Sequence, residues 1–370
     1  MYKLIAKVAL LSAAALVSGQ ALAVTGGGAT LPAALYKGSA DSILPASFSY
    51  AGVGSGAGKT AFLSNNAAPF GTTGTVHFTA SDSILTASEI SQYQSAFYAS
   101  YGPLIQLPSL GTAIVVSYKK SGISNLNLTS SQLCSALSGE VTTWGNLMGT
   151  ADTTPIRVVY RNNASGTSEI LTRHLNSVCP TRFSTSSLFT TARQPSGSTV
   201  PINWVGVSSD TDVLPTINQV DGSIGYSGPD GILVSDNTVV ARLNGVLPTP
   251  PNVALALSSV TPPSTFNDAS NPAHWSPVVA KPALGYKIAA YSNLIIGQCY
   301  RDANVANEIR NFLTTHYSQP GNNAAVQAHK FLAMPLAWKK AVTANFITNT
   351  TGYNLDINNP AVCNGIGRPL

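Results

Sequence analysis

Short apolar runs alternate along the chain with stretches whose apolar residues recur at helical spacing. The runs predict strands at residues 47–53, 76–80, 113–117, 157–160, 224–226 and 288–291. Strands that alternate with helices are typical of α/β architecture. A proline-rich, polar stretch from Pro250 to Pro282 predicts surface loops. The 370 residues suffice for two domains.

Two helices are marked by apolar stripes with a helical repeat. The stripes are Leu171, His174, Leu175 and Val178, and Val305, Ile309, Phe312, Leu313 and His316. Asp302 precedes the second stripe and is predicted to cap its helix. Because His174 and His316 lie on the apolar stripes, we expect both to be core residues.

The first 23 residues have the pattern of a secretory signal peptide. Lys3 and Lys7 precede an apolar stretch at residues 8–17, and Ala21-Leu22-Ala23 has the small residues of a cleavage site. Ten apolar residues are too few to span a bilayer, which needs about 20. The pattern predicts an exported protein, either periplasmic or secreted.

Charge is sparse in this chain. Charged residues make up 9% of it, and the net charge of +5 falls to +3 without Lys3 and Lys7. The basic residues are scattered, whereas nucleic-acid binding needs a concentrated basic patch. We therefore expect no nucleic-acid partner.

Four cysteines are present, Cys134, Cys179, Cys299 and Cys363. Their spacing matches neither a zinc site nor a redox pair, and disulfides persist outside the cytosol. Two disulfides can form in three pairings. Pairing within one region of the chain favours Cys134–Cys179 and Cys299–Cys363.

Four short segments have the chemistry of an anion site. They are Gly26-Gly27-Gly28-Ala29-Thr30-Leu31-Pro32, Gly52-Val53-Gly54-Ser55-Gly56-Ala57-Gly58, Ala80-Ser81-Asp82, and Arg161-Asn162-Asn163-Ala164-Ser165-Gly166-Thr167. In three of them a hydroxyl residue and free main-chain N–H groups are predicted at a helix N-terminus, with Thr30 as the cap of the first helix. Such termini attract anions, and an arginine adds a forked charge that matches two oxygens of an oxyanion.

The sequence contains parts of two enzyme motifs, but neither motif is complete. The run from Gly56 to Thr60 resembles the end of a nucleotide-binding loop, but Val53 stands where that motif has its first glycine. The serine-hydrolase elbow also fails, because Val53 and Asn163 occupy the first glycine position before Ser55 and Ser165.

Taken in order, these segments resemble the periplasmic phosphate-binding proteins of ABC transporters, and most closely their DING subfamily. The resemblance includes Gly222-Ser223-Ile224-Gly225-Tyr226, Ser138-Gly139-Glu140 before Trp144, Val158-Val159-Tyr160-Arg161, and the terminal run from Cys363 to Leu370. It spans nearly the whole chain after the predicted signal peptide.

The resemblance implies a Venus-flytrap (type II periplasmic-binding-protein) fold, with two α/β lobes joined by two crossing strands near residues 108–112 and 285–291. Lobe 1 would then comprise residues 24–108 and 289–370, and lobe 2 residues 109–288. The family's disulfides agree with the pairing favoured above. The phosphate ligands implied are Thr30, Leu31 (main chain), Ser55, Asp82, Arg161, Ser165, Gly166 (main chain) and Thr167.

Asp82 is predicted to decide which anion binds. Phosphate near neutral pH carries a P–OH group that can donate to a carboxylate, whereas sulfate has no proton to donate. A buried acceptor that the wrong ligand leaves unpaired discriminates by about 10⁴ where sites are built this way.

The main alternative is an enzyme, because the DING subfamily also includes secreted alkaline phosphatases of low mass. A phosphatase usually needs paired metals, and the five histidines have no short metal-ligand spacing. A third alternative is an exported protein that has kept the fold but lost its transporter. We predict a monomer that binds inorganic phosphate, without cofactor or metal, and that serves an ABC phosphate permease.

Overall fold

The computed structural model describes residues 24–193 and 199–370. The predicted signal peptide lies outside the described residues. The strands are β1 (Gly26–Gly28), β2 (Ala51–Gly52), β3 (Phe78–Ser81), β4 (Leu104–Ala113), β5 (Val115–Lys119), β6 (Asn127–Leu128), β7 (Arg157–Arg161), β8 (Val205–Val207), β9 (Ser223–Ser227), β10 (Arg242–Leu243), β11 (Ala289–Gly297) and β12 (Leu332–Ala333).

Helices connect most of these strands. They are α1 (Ala33–Tyr36), α2 (Ser55–Ser64), α3 (Ala87–Tyr101), α4 (Ser130–Ser138), α5 (Trp144–Met148), α6 (Gly166–Val178), α7 (Phe189–Ala192), α8 (Val213–Ile217), α9 (Pro250–Leu257), α10 (Phe266–Ala269), α11 (Ala303–Tyr317), α12 (Asn323–Ala328) and α13 (Leu336–Val342). Short 3₁₀ turns lie at Ala68–Phe70, Asp210–Asp212 and Pro272–Trp275, and a π turn lies at Thr343–Ile347.

Two mixed sheets organise the described residues. The first has the order β12-β4-β11-β3-β1-β2, and the second has the order β5-β9-β7-β8. β1 pairs in parallel with β2 and β3, whereas β11 runs antiparallel to β3 and β4. In the second sheet β7 is parallel to β8 and β9, and β5 is antiparallel to β9. β6 and β10 form a separate parallel pair.

The chain passes between the two sheets beside Ile114. This residue separates β4 from β5, its amide donates to the Ile288 carbonyl (2.9 Å), and its carbonyl accepts from the Tyr286 hydroxyl (2.9 Å). The outgoing and returning segments therefore lie side by side, as in the predicted two-lobed fold. Residues 108–112 lie inside β4, in the first sheet. The lobe boundaries at 108/109 and 288/289 remain predictions.

The predicted strands agree best where both faces are buried. Runs 157–160 and 224–226 fall within β7 and β9, and run 288–291 begins the longer β11. Run 113–117 was wrongly expected to be one strand, because Ile114 divides it between the sheets. Run 47–53 yields only the two residues of β2, at the edge of its sheet.

The predicted helices are confirmed. The first stripe lies in α6, and the second lies in α11, where the Asp302 side chain accepts the Asn304 amide at the helix start. His174 and His316 are 2% and 4% exposed, so both are core residues, and burial lowers the pKa of His316 to about 4. The loops expected after Pro250 were partly wrong: Pro250 and Pro251 begin α9, where proline is tolerated because the first N–H groups need no partner.

Disulfides join Cys134 to Cys179 and Cys299 to Cys363, which confirms the predicted pairing. The first holds α4 to the end of α6, and the second holds the segment after β11 to the C-terminal segment. In residues 24–193 and 199–370, no helix is long and apolar enough to cross a membrane.

Candidate anion-binding site

The four predicted segments meet between the two sheets. Two of them begin in the first sheet at β1 and β3, the third crosses β2 and enters α2, and the fourth leaves β7 and enters α6 in the second sheet. The Gly56 amide donates to the Ala164 carbonyl across this junction (3.3 Å). A Cβ atom placed on Gly56 would lie 2.5 Å from the Ala164 Cβ, so glycine is needed for this approach.

Thr30 does not cap a helix, contrary to the prediction. α1 begins after Pro32, whose side chain accepts no N–H group, and α1 is only four residues long. The Thr30 hydroxyl instead donates to Asp210 Oδ2 (2.9 Å) and accepts from Arg161 Nη1 (2.9 Å). Leu31 is buried at 3% exposure.

Ser55 is the first residue of α2 and faces Asp82. Its Oγ atom accepts the main-chain N–H of Asp82 (3.1 Å), so the α2 terminus is joined to the end of β3. Both residues are almost wholly buried, at 1% and 2% exposure. In residues 24–193 and 199–370, Asp82 Oδ1 has no hydrogen-bond partner.

Arg161 ends β7, and α6 begins five residues later. The Ser165 hydroxyl caps α6 by accepting the Ser168 N–H (3.4 Å). A Cβ atom on Gly166 would lie 2.5 Å from both Asp82 Cβ and Ser55 Oγ. The first turn of α6 therefore packs directly on Asp82 and Ser55, and no larger residue than glycine fits there.

One residue of this cluster escaped the sequence analysis. Asp210 lies in a 3₁₀ turn after β8 and is 8% exposed. Its Oδ2 atom accepts from Arg161 Nη1 (2.6 Å), Thr30 (2.9 Å) and Thr167 (2.9 Å), and its Oδ1 atom accepts the Gly228 N–H (3.1 Å). Asp210 thus holds three of the predicted ligands in one place.

The sequence around Asp210 has none of the features that indicated the other ligand segments. Ser208-Ser209-Asp210 has no glycine turn, and no long helix follows it. A search for the carboxylate that balances a buried arginine would have been the physical route to it, because a buried charge needs a partner.

Burial has its largest electrostatic effect at Asp82. It raises the pKa of this carboxyl to about 7; the Ser292 hydroxyl opposes the rise and the negative charge of Asp210 adds to it. The site therefore combines a fixed cation, hydroxyl and amide donors, and a carboxyl group that changes its charge near neutral pH. Such a set suits a small polar anion that can also donate a proton.

Comparisons with known proteins identify the family of this chain. A family model described as the PBP superfamily domain matches residues 14–312. The chain belongs to this superfamily. It is 55% identical over 369 residues to a Pseudomonas aeruginosa protein named "Alkaline phosphatase L", and the match covers both chains completely.

Solved structures of phosphate-binding proteins are similar along almost the whole chain. One from Stenotrophomonas maltophilia is 44% identical, with a TM-score of 0.86, over 94% of this chain and 100% of its own. The periplasmic protein PfluDING, solved with bound phosphate, is 40% identical with the same coverage and TM-score. The resemblance to the DING phosphate-binding proteins is thereby confirmed.

Proposed function

We propose that this protein binds inorganic phosphate outside the cytoplasm with high specificity. The observation that carries the proposal is the meeting, between two sheets, of a buried guanidinium, the starts of α2 and α6, and the Asp82 Oδ1 atom, which has no hydrogen-bond partner among residues 24–193 and 199–370. The proposed ligands are Thr30, the Leu31 main chain, Ser55, Asp82, Arg161, Ser165, the Gly166 main chain and Thr167.

Each group has a chemical task in this proposal. Arg161 supplies the countercharge, and its guanidinium matches two oxygens of a tetrahedral ion. α2 and α6 are 10 and 13 residues long. The first amides of a helix have no partner within it, so these N-termini favour an anion through main-chain N–H groups and the positive ends of their dipoles. Asp210 orients Arg161, Thr30 and Thr167, which makes it a positioning residue.

Asp82 selects the ion by its need for a proton donor. An ionised carboxylate accepts the P–OH group of phosphate and repels sulfate. Because the pKa of Asp82 is raised to about 7, its charge is fully present only above this pH. Rejection of sulfate should therefore be strongest in mildly alkaline solution and weaken as the pH falls through about 7.

Several features support export and uptake. The relatives PfluDING and the Stenotrophomonas protein are named as phosphate-binding proteins, the former as periplasmic, and two disulfides suit an oxidising compartment. We propose that residues 1–23 are a signal peptide. We also propose that the monomeric protein delivers phosphate to an ABC permease.

The second candidate function is phosphomonoester hydrolysis. It is favoured by the name of the relative that is 55% identical. In residues 24–193 and 199–370, no group of three or more His, Cys, Asp or Glu side chains could hold a metal ion. Hydrolysis of p-nitrophenyl phosphate, measured on protein from a host without phosphatases, tests this candidate.

Calorimetric titration of phosphate and sulfate into ligand-free protein tests the proposed function. We expect phosphate to bind at least about 10³-fold more tightly than sulfate at mildly alkaline pH. Asp82→Asn should bring the two affinities together, since an amide repels neither ion. Asp212→Asn, which removes an exposed carboxylate from the turn after Asp210, is the matched control. Equal affinities in the unaltered protein would contradict the proposal.

A further inference from the structure

A second charged cluster lies away from the proposed ligands. His329 is enclosed by two carboxylates. Nε2 lies 3.1 Å from Asp41 Oδ1 in a hydrogen bond, and Nδ1 lies 2.8 Å from Asp230 Oδ1 in a charge contact that lacks hydrogen-bond geometry. The imidazole is only 10% exposed. Because the two aspartates stand at opposite ring nitrogens, one small ion could not bind all three side chains at once.

The cluster connects the bodies of the two sheets. His329 lies between α12 and β12, in the first sheet, and Asp41 follows α1 beside β1 and β2. Asp230 lies three residues after β9, in the second sheet. The contact between His329 and Asp230 therefore spans the junction that also contains the anion site.

The two aspartates of this cluster lie close in the chain to residues beside the site. Asp230 is two residues beyond Gly228, whose amide donates to Asp210. Asp41 is ten residues beyond Leu31, which packs against Gly228: a Cβ atom on Gly228 would lie 2.5 Å from Leu31 Cγ. A change in the contact between His329 and Asp230 can therefore alter how the two halves of the anion site, one from each sheet, fit together.

Only one protonation state of His329 suits both neighbours. A neutral imidazole would present the lone pair of one ring nitrogen to a carboxylate, whereas imidazolium carries a positive charge that faces both carboxylates. The charged side chains that line this recess, in the described residues, are Asp41, Asp230 and Lys330. Its remaining lining residues carry no charge: Gly231, Ile232, Leu233 and Ala328.

Local geometry holds the ring in place. The His329 amide donates to the Ala325 carbonyl at the end of α12 (3.2 Å), and Lys330 turns the chain with a φ of 64°. Ser39 Oγ donates to Asp41 (2.9 Å) and fixes that carboxylate. The cluster is therefore built from a helix end and a turn that are both tied to the first sheet, and only Asp230 comes from the second.

We propose that His329 is a pH-dependent latch that holds the two bodies together when it is protonated and releases them when it is neutral. For its effect on phosphate, the latch rests on the proposed function. A binding protein whose closed form is stabilised in advance binds its ligand more tightly, because less of the binding energy is spent on closure.

The sign of the pH effect follows from the charges around the ring. Burial lowers the pKa of His329, but Asp230 and Asp41 outweigh burial, and the net pKa is raised above its usual value. If the two bodies move apart into an open form, the contribution of Asp230 to the raised pKa of His329 is lost, so the pKa falls. The latch therefore acts fully below the pKa of the open form, and its effect is lost as the pH rises through the raised pKa.

Phosphate affinity at two pH values tests the latch. Phosphate and Asp82 also titrate, so the measured quantity is the ratio of affinities between the unaltered protein and His329→Gln in the same buffer. We expect the variant to bind about fivefold more weakly at about pH 6 and equally well at about pH 8.5. A ratio that is the same at both pH values would overturn the latch.

Two further variants sharpen the result. Asp230→Asn should reproduce the effect of His329→Gln, because it removes the charge contributed by the second body. His274→Gln should have no effect, because His274 pairs with the nearby Asp268 in the same chain segment (3.1 Å) and is 48% exposed. If Asp230→Asn binds phosphate as tightly as the unaltered protein at both pH values, the proposed latch is contradicted.

Small-angle X-ray scattering separates this test from the proposed function. Ligand-free protein should have a smaller radius of gyration at about pH 6 than at about pH 8.5, and His329→Gln should remove that difference. Protein that fails to bind phosphate but keeps this behaviour would refute the proposed function and retain the latch. A radius independent of pH in the unaltered protein would refute the latch.

Discussion

Two of the buried arginines, Arg161 and Arg368, are used differently. Arg161 is 1% exposed and Arg368 is 0% exposed. Arg161 contacts the carboxylate of Asp210 (2.6 Å) and the hydroxyl of Thr30 (2.9 Å). Arg368 donates to the main-chain carbonyls of Val76 (2.6 Å) and Phe62 (2.8 Å), so its hydrogen bonds go to uncharged acceptors.

The surroundings of Arg368 indicate a role in folding stability. Its guanidinium carbon lies 3.6 Å from the centre of the Phe62 ring and 5.7 Å from that of Tyr101. Burial lowers its pKa. Its contacts with residues 62, 65, 76 and 101 hold the C-terminal segment against the first sheet.

The difference shows that a buried charge alone does not mark a site. The partners of Arg161 come from both bodies and include hydroxyl and carboxylate groups, which can exchange one hydrogen bond for another when an ion enters. The carbonyl partners of Arg368 are fixed by the backbone that carries them. Side-chain partners drawn from two separate bodies are therefore the better indication of binding.

Loss of Arg161 should have the largest effect. We expect Arg161→Gln to weaken phosphate binding by about 10³-fold, because it removes the countercharge of a buried ion and leaves Asp210 unbalanced. Calorimetric titration measures the loss. Arg161→Lys should recover only part of it, since an ammonium group lacks the fork. Unchanged phosphate affinity in Arg161→Gln would contradict the assignment of Arg161 to the anion site.

Loss of Arg368 should act on folding instead. Arg368→Met keeps the apolar contact with Phe62 but removes the guanidinium donor from the buried Val76 carbonyl and one of the two donors to the Phe62 carbonyl. The free energy of unfolding should therefore fall by about 2–4 kcal/mol. Urea denaturation followed by tryptophan fluorescence measures this change. The folded variant should bind phosphate with unaltered affinity, and a large loss of affinity would contradict the distinction drawn here.

Asp210→Asn should have the smallest of the three effects. An amide can still accept from Thr30 or Thr167, but it no longer balances Arg161, and phosphate affinity should fall by about 10-fold to 30-fold. The neighbouring Asp212→Asn is the control, because that side chain is exposed. Tighter phosphate binding in Asp210→Asn would show that Asp210 competes with the ion rather than positioning its ligands.

Much of the fold could be predicted from local pattern. The stripes of α6 and α11 repeat over several turns, and β7 and β9 are apolar runs buried on both sides, so each element carries its own signal. The edge strand β2 and the break at Ile114 carried no such signal. Pairing partners and the passage between sheets set them, and both depend on distant residues.

The candidate site divides in the same way. Ser55, Asp82, Arg161 and Ser165 could be predicted as ligands because each stands beside a glycine turn, a strand end or a helix start, and the structure brings them together. Thr30 was found for a wrong reason, as a helix cap, and its hydroxyl turns to Asp210 instead. Asp210 was missed, because its importance lies in contacts with residues 43 to 180 positions away in the chain.

The sequence by itself determined the α/β class and the segments able to meet an anion, because periodicity and capping chemistry are local properties. It favoured one of three disulfide pairings, and the structure decided between them. Only the tertiary structure decided which charged side chains lie next to each other. The balance of Arg161 by Asp210, the raised pKa of Asp82 and the contact of His329 with Asp230 arise from burial and from the approach of two bodies. Such electrostatic effects depend on distance and on exclusion of water, which a linear sequence does not contain.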